Sequence, residues 1–287
     1  MIVVVALAGL LALMLNRHVM AAAGSDGRGS DRQARAEGTA VRDQAAAWVA
    51  GQVSPSATVA CDPQMCRALA ARGIPAAALL ELRPGAADPL SAGVVIATPT
   101  VRGLLGSAYL GRHAPAAIAG FGSGNAGITV RVIAPRGAAS YLSALRADVA
   151  ARKAWASALL RSKNIVMPGA ARTLVGEGRV DPRLLVVIAG IASQRPVAIV
   201  AFGDGAPGAT PGVAVLRSAE LAGTGSAADR SPAVQLRWIS RFLHRQQGDY
   251  RPASIQRVPV PAGRAGLRVE FAAPSPLGLL KSLTTRP

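Results

Sequence analysis

The chain has 287 residues, is 51% apolar and carries a formal net charge of +17. That length holds one large or two modest domains with a real core; with aromatics at 3%, the core must be built from Ala, Val, Leu and Ile, while 31 Gly and 20 Pro argue against a long helical bundle. Lys153, Lys163 and Lys281 are the only lysines, so arginine carries the positive charge, and a pI near 11.6 implies attraction to anionic lipid, envelope polymer or nucleic acid.

Residues Ile2 to Leu15 are fourteen uncharged, mostly apolar residues closed by Asn16-Arg17-His18. A membrane span needs about 20, and runs of about 10–14 fit the apolar region of a signal peptide or a buried helix. Ala21-Ala22-Ala23 adds a small-residue cleavage pattern. Residues 1–23 are therefore expected to be a signal peptide or membrane anchor, with the rest of the chain extracytoplasmic, tethered or secreted. Residues 24–40, polar and Gly-rich, are expected to be a flexible linker.

From 41 the pattern turns regular. Val41, Ala45, Trp48 and Val49 share one helical face. "TVAC" predicts a buried strand, and Asp62-Pro63 predicts a helix start, Asp as cap and Pro in the first turn. "AALLEL", "VVIAT", "AAIAGF" and "ITVRVIA" predict further strands, with a short helix through Val101, Leu104 and Leu105. Leu142, Leu145, Val149, Ala156 and Leu159 predict a helix over 139–162. Beyond a boundary at Ser162–Asn164 come two helices, the second started by Asp181-Pro182. The strands "PVAIVAFG" and "GVAVLRSAEL", a helix from Ser231-Pro232 to about Gln246, and an antiparallel pair "SIQRVPV" and "GLRVEF" follow. The expected fold is α/β: a largely parallel sheet with flanking helices, in two adjoining units (41–162 and 163–272), with an N-terminal hydrophobic helix and a disordered tail over 273–287. No internal repeat is visible.

Two G-x-G-x-x-G matches, Gly122–Gly127 and Gly203–Gly208, follow predicted strands but do not open helices, so both read as turns. His18, His113 and His244 are isolated, and no pair of imidazoles has metal-ligand spacing, so no metal and no cofactor is expected. There is no G-x-S-x-G elbow, and no base is marked for Ser123. Asp62, Asp181 and Asp229 sit at helix starts, where capping accounts for them. Asp204 ends an apolar strand in a Gly-rich loop, where α/β folds place ligand contacts, and Glu220 is its nearest acidic companion.

Arg237, Arg241 and Arg245 recur at i, i+4, i+8 as one basic stripe over Leu236, Ile239 and Leu243. The stripe predicts either a solvated helix face or a dock for an anionic membrane or wall polymer. A membrane-protein partner is a further option, marked by a large exposed apolar patch. Nucleic acid is disfavoured, since no aromatic platform accompanies the charge. Cys61 and Cys66, at C-x4-C, lack the ligands for a metal site and the spacing of a redox motif; a structural disulfide and two buried thiols stay open.

Residues 45–75, "AAAWVAGQVSPSATVACDPQMCRALAARGIP", resemble an extracytoplasmic α/β segment of uncharacterised membrane-anchored proteins of high-GC actinobacteria, and the soluble ends of some membrane glycosyltransferases. The resemblance implies an extracytoplasmic, membrane-anchored α/β protein and brings no catalytic signature. Val180–Leu185 and Arg217–Glu220 are similar to elements of D-Ala-D-Ala-carboxypeptidase-like domains. The family's metal-binding histidines have no counterpart between Gly203 and Leu221. What that resemblance implies is a cleft that binds a wall peptide without zinc chemistry. The expected function is a non-catalytic, envelope-associated binding or scaffolding protein. The alternatives are a hydrolase or transferase acting on wall or glycan material, with Asp204 and Glu220 in one open cleft, and a subunit of a membrane complex.

Overall fold

The computed structural model describes residues 32–33, 35–85, 88–203, 206–210, 213, 215–224, 231–261 and 263–284. The N-terminal apolar segment and Asp204 lie outside them. Among the described residues no helix is long and apolar enough to cross a membrane.

Helix α1 (35–52) turns Val41, Ala45, Trp48 and Val49 inward. Its first turns occupy residues 35–40, expected to be linker. Strand β1 (Val59–Cys61) leads through Asp62-Pro63 into α2 (Pro63–Ala70) and then β2 (Leu79–Glu81). Strand β3 (Val94–Ala97) leads through Thr98-Pro99 into α3 (Pro99–His113), which is broken at Gly106, where φ is 77°. The hairpin β4 (Ala116–Phe121) and β5 (Ile128–Val132) completes a five-stranded sheet of order β2-β1-β3-β5-β4. Its three layers follow from alternation along the strands. Val59, Cys61, Val94 and Ile96 pack on α1 and α2, whereas Ala60, Val95 and Ala97 pack with Val101 and Leu110 of α3.

Helix α4 (Ala138–Arg161), strand β6 (Ile165–Val166) and helices α5 (Gly169–Gly176) and α6 (Pro182–Ala192) precede the second sheet's longer strands. These are β7 (Val197–Gly203), β8 (Ser218–Ala222), β9 (Ser254–Val260) and β10 (Arg264–Glu270), with α7 (Pro232–His244) between β8 and β9. The order is β6-β7-β8-β10-β9. One core gathers Ala156 and Leu159 of α4, Ile188 of α6 and Leu236 and Ile239 of α7 against Ile199, Leu221 and Val269. The boundary expected at Ser162–Asn164 thus separates β6 from a helix whose apolar side chains share its sheet's core.

The sheets are mixed rather than largely parallel. Among the described strands, β1 with β2, β1 with β3, and β6 with β7 pair in parallel, and the other strand pairs are antiparallel. The reason is a module present in each sheet. In β3-α3-β4-β5 and in β8-α7-β9-β10, a strand and its helix lead to a hairpin whose second strand inserts beside the first. Strand-helix alternation looks the same in sequence whether or not a returning strand is inserted.

Backbone contacts join the two halves. Segment 206–210 covers the outer edge of β4: Gly120 N–H donates to Pro207 O at 2.7 Å, and Thr210 N–H to Ala117 O at 2.9 Å. The crossing is tight: a Cβ on Gly120 would lie 3.1 Å from Gly208 O and one on Gly208 3.1 Å from Gly120 O, and Gly208 has a positive φ of 59°. The second glycine motif therefore ends in a docking turn. The first forms the β4–β5 turn, with Gly122 and Gly124 at positive φ.

The tail expected to be disordered is packed over residues 273–284. Ala273 bridges Val53, and its N–H donates to Gln52 O at 2.6 Å. The chain then runs into α8 (Leu279–Thr284), where Leu280 is fully buried. The tail's prolines, Gly278 and short length hid this, although Leu280 and Leu283 pack on the second core.

Candidate functional site

Strands β1 and β3 are parallel neighbours whose helices lead to opposite edges, which makes their C-terminal ends a topological switch point. Folds of this kind place ligands there, at helix N-termini that attract anions. Here the chain fills that position itself. Asp62, 4% exposed, accepts from Gln64 N–H at 2.9 Å and Met65 N–H at 3.0 Å through Oδ1, and from Thr98 Oγ1 through Oδ2. Thr98 in turn caps α3 by accepting from Val101 N–H at 3.2 Å. The Asp62 carboxylate stands where an outside anion would sit. The adjoining slot, about 370 Å³, is walled by Pro63, Leu82, Pro84 and Leu104, and its one charged side chain, Arg83, is paired with Glu81.

Cys61 and Cys66 are bridged at this corner, with Cα atoms 5.4 Å apart. The bond ties the end of β1 to α2 and is buried, Cys61 fully. Closing so short a loop removes little chain entropy, about 2 kcal/mol. Reduced and oxidised protein should differ by about that amount in denaturation free energy; a gap above about 4 kcal/mol would contradict a purely local clasp.

Tyr109 and His113 of α3 meet ring to ring at 4.8 Å, and Tyr109 Oη donates to Asp88 Oδ1 at 3.2 Å. Burial, then the Asp88 carboxylate and this hydrogen bond, push the Tyr109 phenol up to about 12. It is a neutral donor at physiological pH and unsuited to act as a base. Because its folded value is raised, its contribution to stability is present below its ordinary value and lost as pH climbs through about 12. An absorbance titration should place this phenol late, and Asp88→Asn should move it earlier but short of the ordinary value, since burial persists. An unchanged curve would refute the assignment. Among the described residues no three His, Cys, Asp or Glu side chains gather into a set that could hold a metal ion.

The unoccupied chemistry lies on the second sheet's helix layer. Helix α7 buries Leu236, Ile239 and Leu243 and leaves Arg237, Arg241 and Arg245 exposed. Its Arg237 and Ser240 face the β9–β10 hairpin across a cleft of about 110 Å³, lined also by Ala233, Leu236, Arg257, Gly266 and Leu267. Register explains Arg257: it lies opposite Leu267, and paired residues share a face, so it emerges on the helix side of the sheet. No carboxylate lines the cleft. Neither Arg237 nor Arg257 has a hydrogen bond or ion pair among the described residues.

The sequence-derived residues divide. Arg237 lines the cleft, and Arg241 and Arg245 extend its helical wall. Glu220 does not join them. It neighbours Arg268 on the sheet face away from the helices and accepts its hydrogen bond at 2.5 Å. Arg257 was missed. Its strand is legible in "SIQRVPV", but its side became definite only with the β10 register. No family model, curated protein or solved structure matches the chain.

Proposed function

We propose that the chain is a non-catalytic, extracytoplasmic binding module of the cell envelope, exported or tethered by residues 1–23, that holds anionic envelope material on its basic α7 face. The observation that carries this reading is the acid-free cleft shared by Arg237 and Arg257, continued by Arg241 and Arg245. Two unpaired arginines, one on a helix and one on a strand, that line one cleft attract anions and offer many donors. The Cys61–Cys66 bridge suits an oxidising compartment. The resemblance of residues 45–75 to membrane-anchored extracytoplasmic proteins points the same way. The competing reading, a hydrolase or transferase on wall or glycan material, places Asp204 and Glu220 in one open cleft; Glu220 is paired with Arg268, and Asp204 lies outside the described residues.

Retention on isolated wall material and on anionic vesicles, compared at about 0.1 M and 1 M salt, tests the reading, because the screening length falls from about 10 Å to 3 Å. Binding at low salt that is lost at high salt is expected. Absence of binding, or binding indifferent to salt, would overturn it.

A further inference from the structure

We infer that the cleft between α7 and the β9–β10 hairpin recognises phosphate groups of a linear, phosphodiester-linked polymer without nucleobases. The inference rests on the envelope-binding reading above and names the group bound. Each guanidinium presents five N–H donors in a planar fork and no acceptor. Arg237 from α7 and Arg257 from β9 line one space together with Ser240, so two forks and a hydroxyl are within reach of it. A carboxylate offers two coplanar oxygens, which one fork satisfies. A phosphodiester offers oxygens in a tetrahedral array, which two forks and a hydroxyl can engage from different directions. The space, about 110 Å³, admits a group of this size.

The wall continues in one direction. Arg237, Arg241 and Arg245 follow at four-residue intervals, about 6 Å apart along the helix axis. All three are exposed. A line of cations leading away from a two-pronged cleft fits an anion that repeats along a chain. A bilayer surface fits less well. The exposed large apolar side chains among the described residues are Leu104, Leu142 and Val166, on α3, α4 and β6. None lies on α7 or the hairpin to enter a membrane interface. Nucleic acid lacks its stacking platform here, since Trp238 and Phe242 of α7 stack on each other and pack against the core.

The test uses the full chain and three polyanions matched in charge: poly(glycerol phosphate), polyglutamate and single-stranded DNA, with phosphatidylglycerol vesicles as a fourth probe. Poly(glycerol phosphate) should bind at least about tenfold tighter than polyglutamate, a difference of about 1.4 kcal/mol, and no more weakly than the DNA or the vesicles, for which the cleft offers neither a stacking platform nor apolar anchors. Arg237→Lys combined with Arg257→Lys keeps the charge and removes the forks. That variant should lose the phosphate preference while its polyglutamate affinity stays within about twofold, a charge-only change. Both side chains are exposed to the cleft and unpaired, so an unchanged thermal midpoint is expected and confirms the variant's fold. Equal wild-type affinity for phosphate and carboxylate polymers overturns phosphate recognition and leaves envelope binding standing. A lysine variant that keeps the preference overturns the role of these two residues. Tighter binding to vesicles or DNA overturns the choice of polymer. Failure to bind any probe or isolated wall material overturns both readings.

Discussion

Arg152→Ala is expected to destabilise the protein by about 3–5 kcal/mol, lowering the thermal midpoint by roughly 10 °C for a chain of this size. Arg152 lies in mid-α4 and is 1% exposed. Its Nε donates to Asp148 Oδ2 at 2.9 Å, and its Nη1 donates to Gly178 O in the turn between α5 and α6. Asp148 also accepts from Gly278 N–H at 3.0 Å. One buried pair thus joins a helix, a turn and the C-terminal strap. Removing the guanidinium leaves a carboxylate with 2% side-chain exposure and no cation. Its nearby charge also acts on Tyr141, whose phenol is raised by burial first and by Asp148 second.

The size of the effect comes from the broken pair and not from the strength of the intact one. A buried ion pair roughly offsets its own desolvation, and apolar replacement of both members is often neutral or favourable. Asp148→Leu with Arg152→Met should therefore be much less damaging than Arg152→Ala, although the bonds to Gly178 and Gly278 are lost. Denaturant unfolding gives the stability, and hydrogen exchange over 278–284 reports whether the strap loosens first. A single-variant loss below about 1 kcal/mol would show that the pair behaves as a solvated one.

This pair marks a limit of what sequence shows. Asp148 and Arg152, spaced i and i+4, look the same as a solvent-facing pair on an amphipathic helix. The α5–α6 turn at Gly178 and the strap's return across α4 bury them, and the strap's contact lies more than a hundred residues away. Local signals were clearer. Asp-Pro and Ser-Pro steps open α2, α6 and α7 at Pro63, Pro182 and Pro232, because proline's fixed φ acts within one turn, joined by a side-chain cap from Asp62 and Asp181 but not from Ser231. Apolar runs located the longer strands, and the alternation in "GLRVEF" marked the antiparallel β9–β10 pair. The directions of the fully apolar strands were beyond them, and β5 and β10 were read without their place between other strands. The basic stripe was legible because it lies on one helix; its partner Arg257 became legible only once a register existed.

Asp181→Ala carries the second large expected effect, again about 3–5 kcal/mol. Asp181 is fully buried and serves two purposes with one carboxylate. As the cap of α6 it accepts from Arg183 N–H at 2.8 Å through Oδ1. The same group accepts from Arg183 Nε at 2.9 Å and Nη2 at 2.7 Å, a two-pronged pairing. Arg183 then donates to Ala272 O at 2.8 Å and lies 5.0 Å from the centre of the Phe271 ring. The next residue, Ala273, bridges Val53 beside the first sheet. Loss of Asp181 leaves Arg183, 7% exposed, with a carbonyl and a ring but no counter-charge. Asp181→Asn keeps an oxygen that can cap the helix and removes only the charge, and a lost cap by itself is worth about 1 kcal/mol. The Asn variant should therefore recover about that share and remain destabilised by the rest. If Asn restored full stability, capping alone would explain Asp181. If Ala cost no more than about 1 kcal/mol, Arg183 would have to find water in place of its partner, and the link from α6 to Ala272 would not depend on this charge.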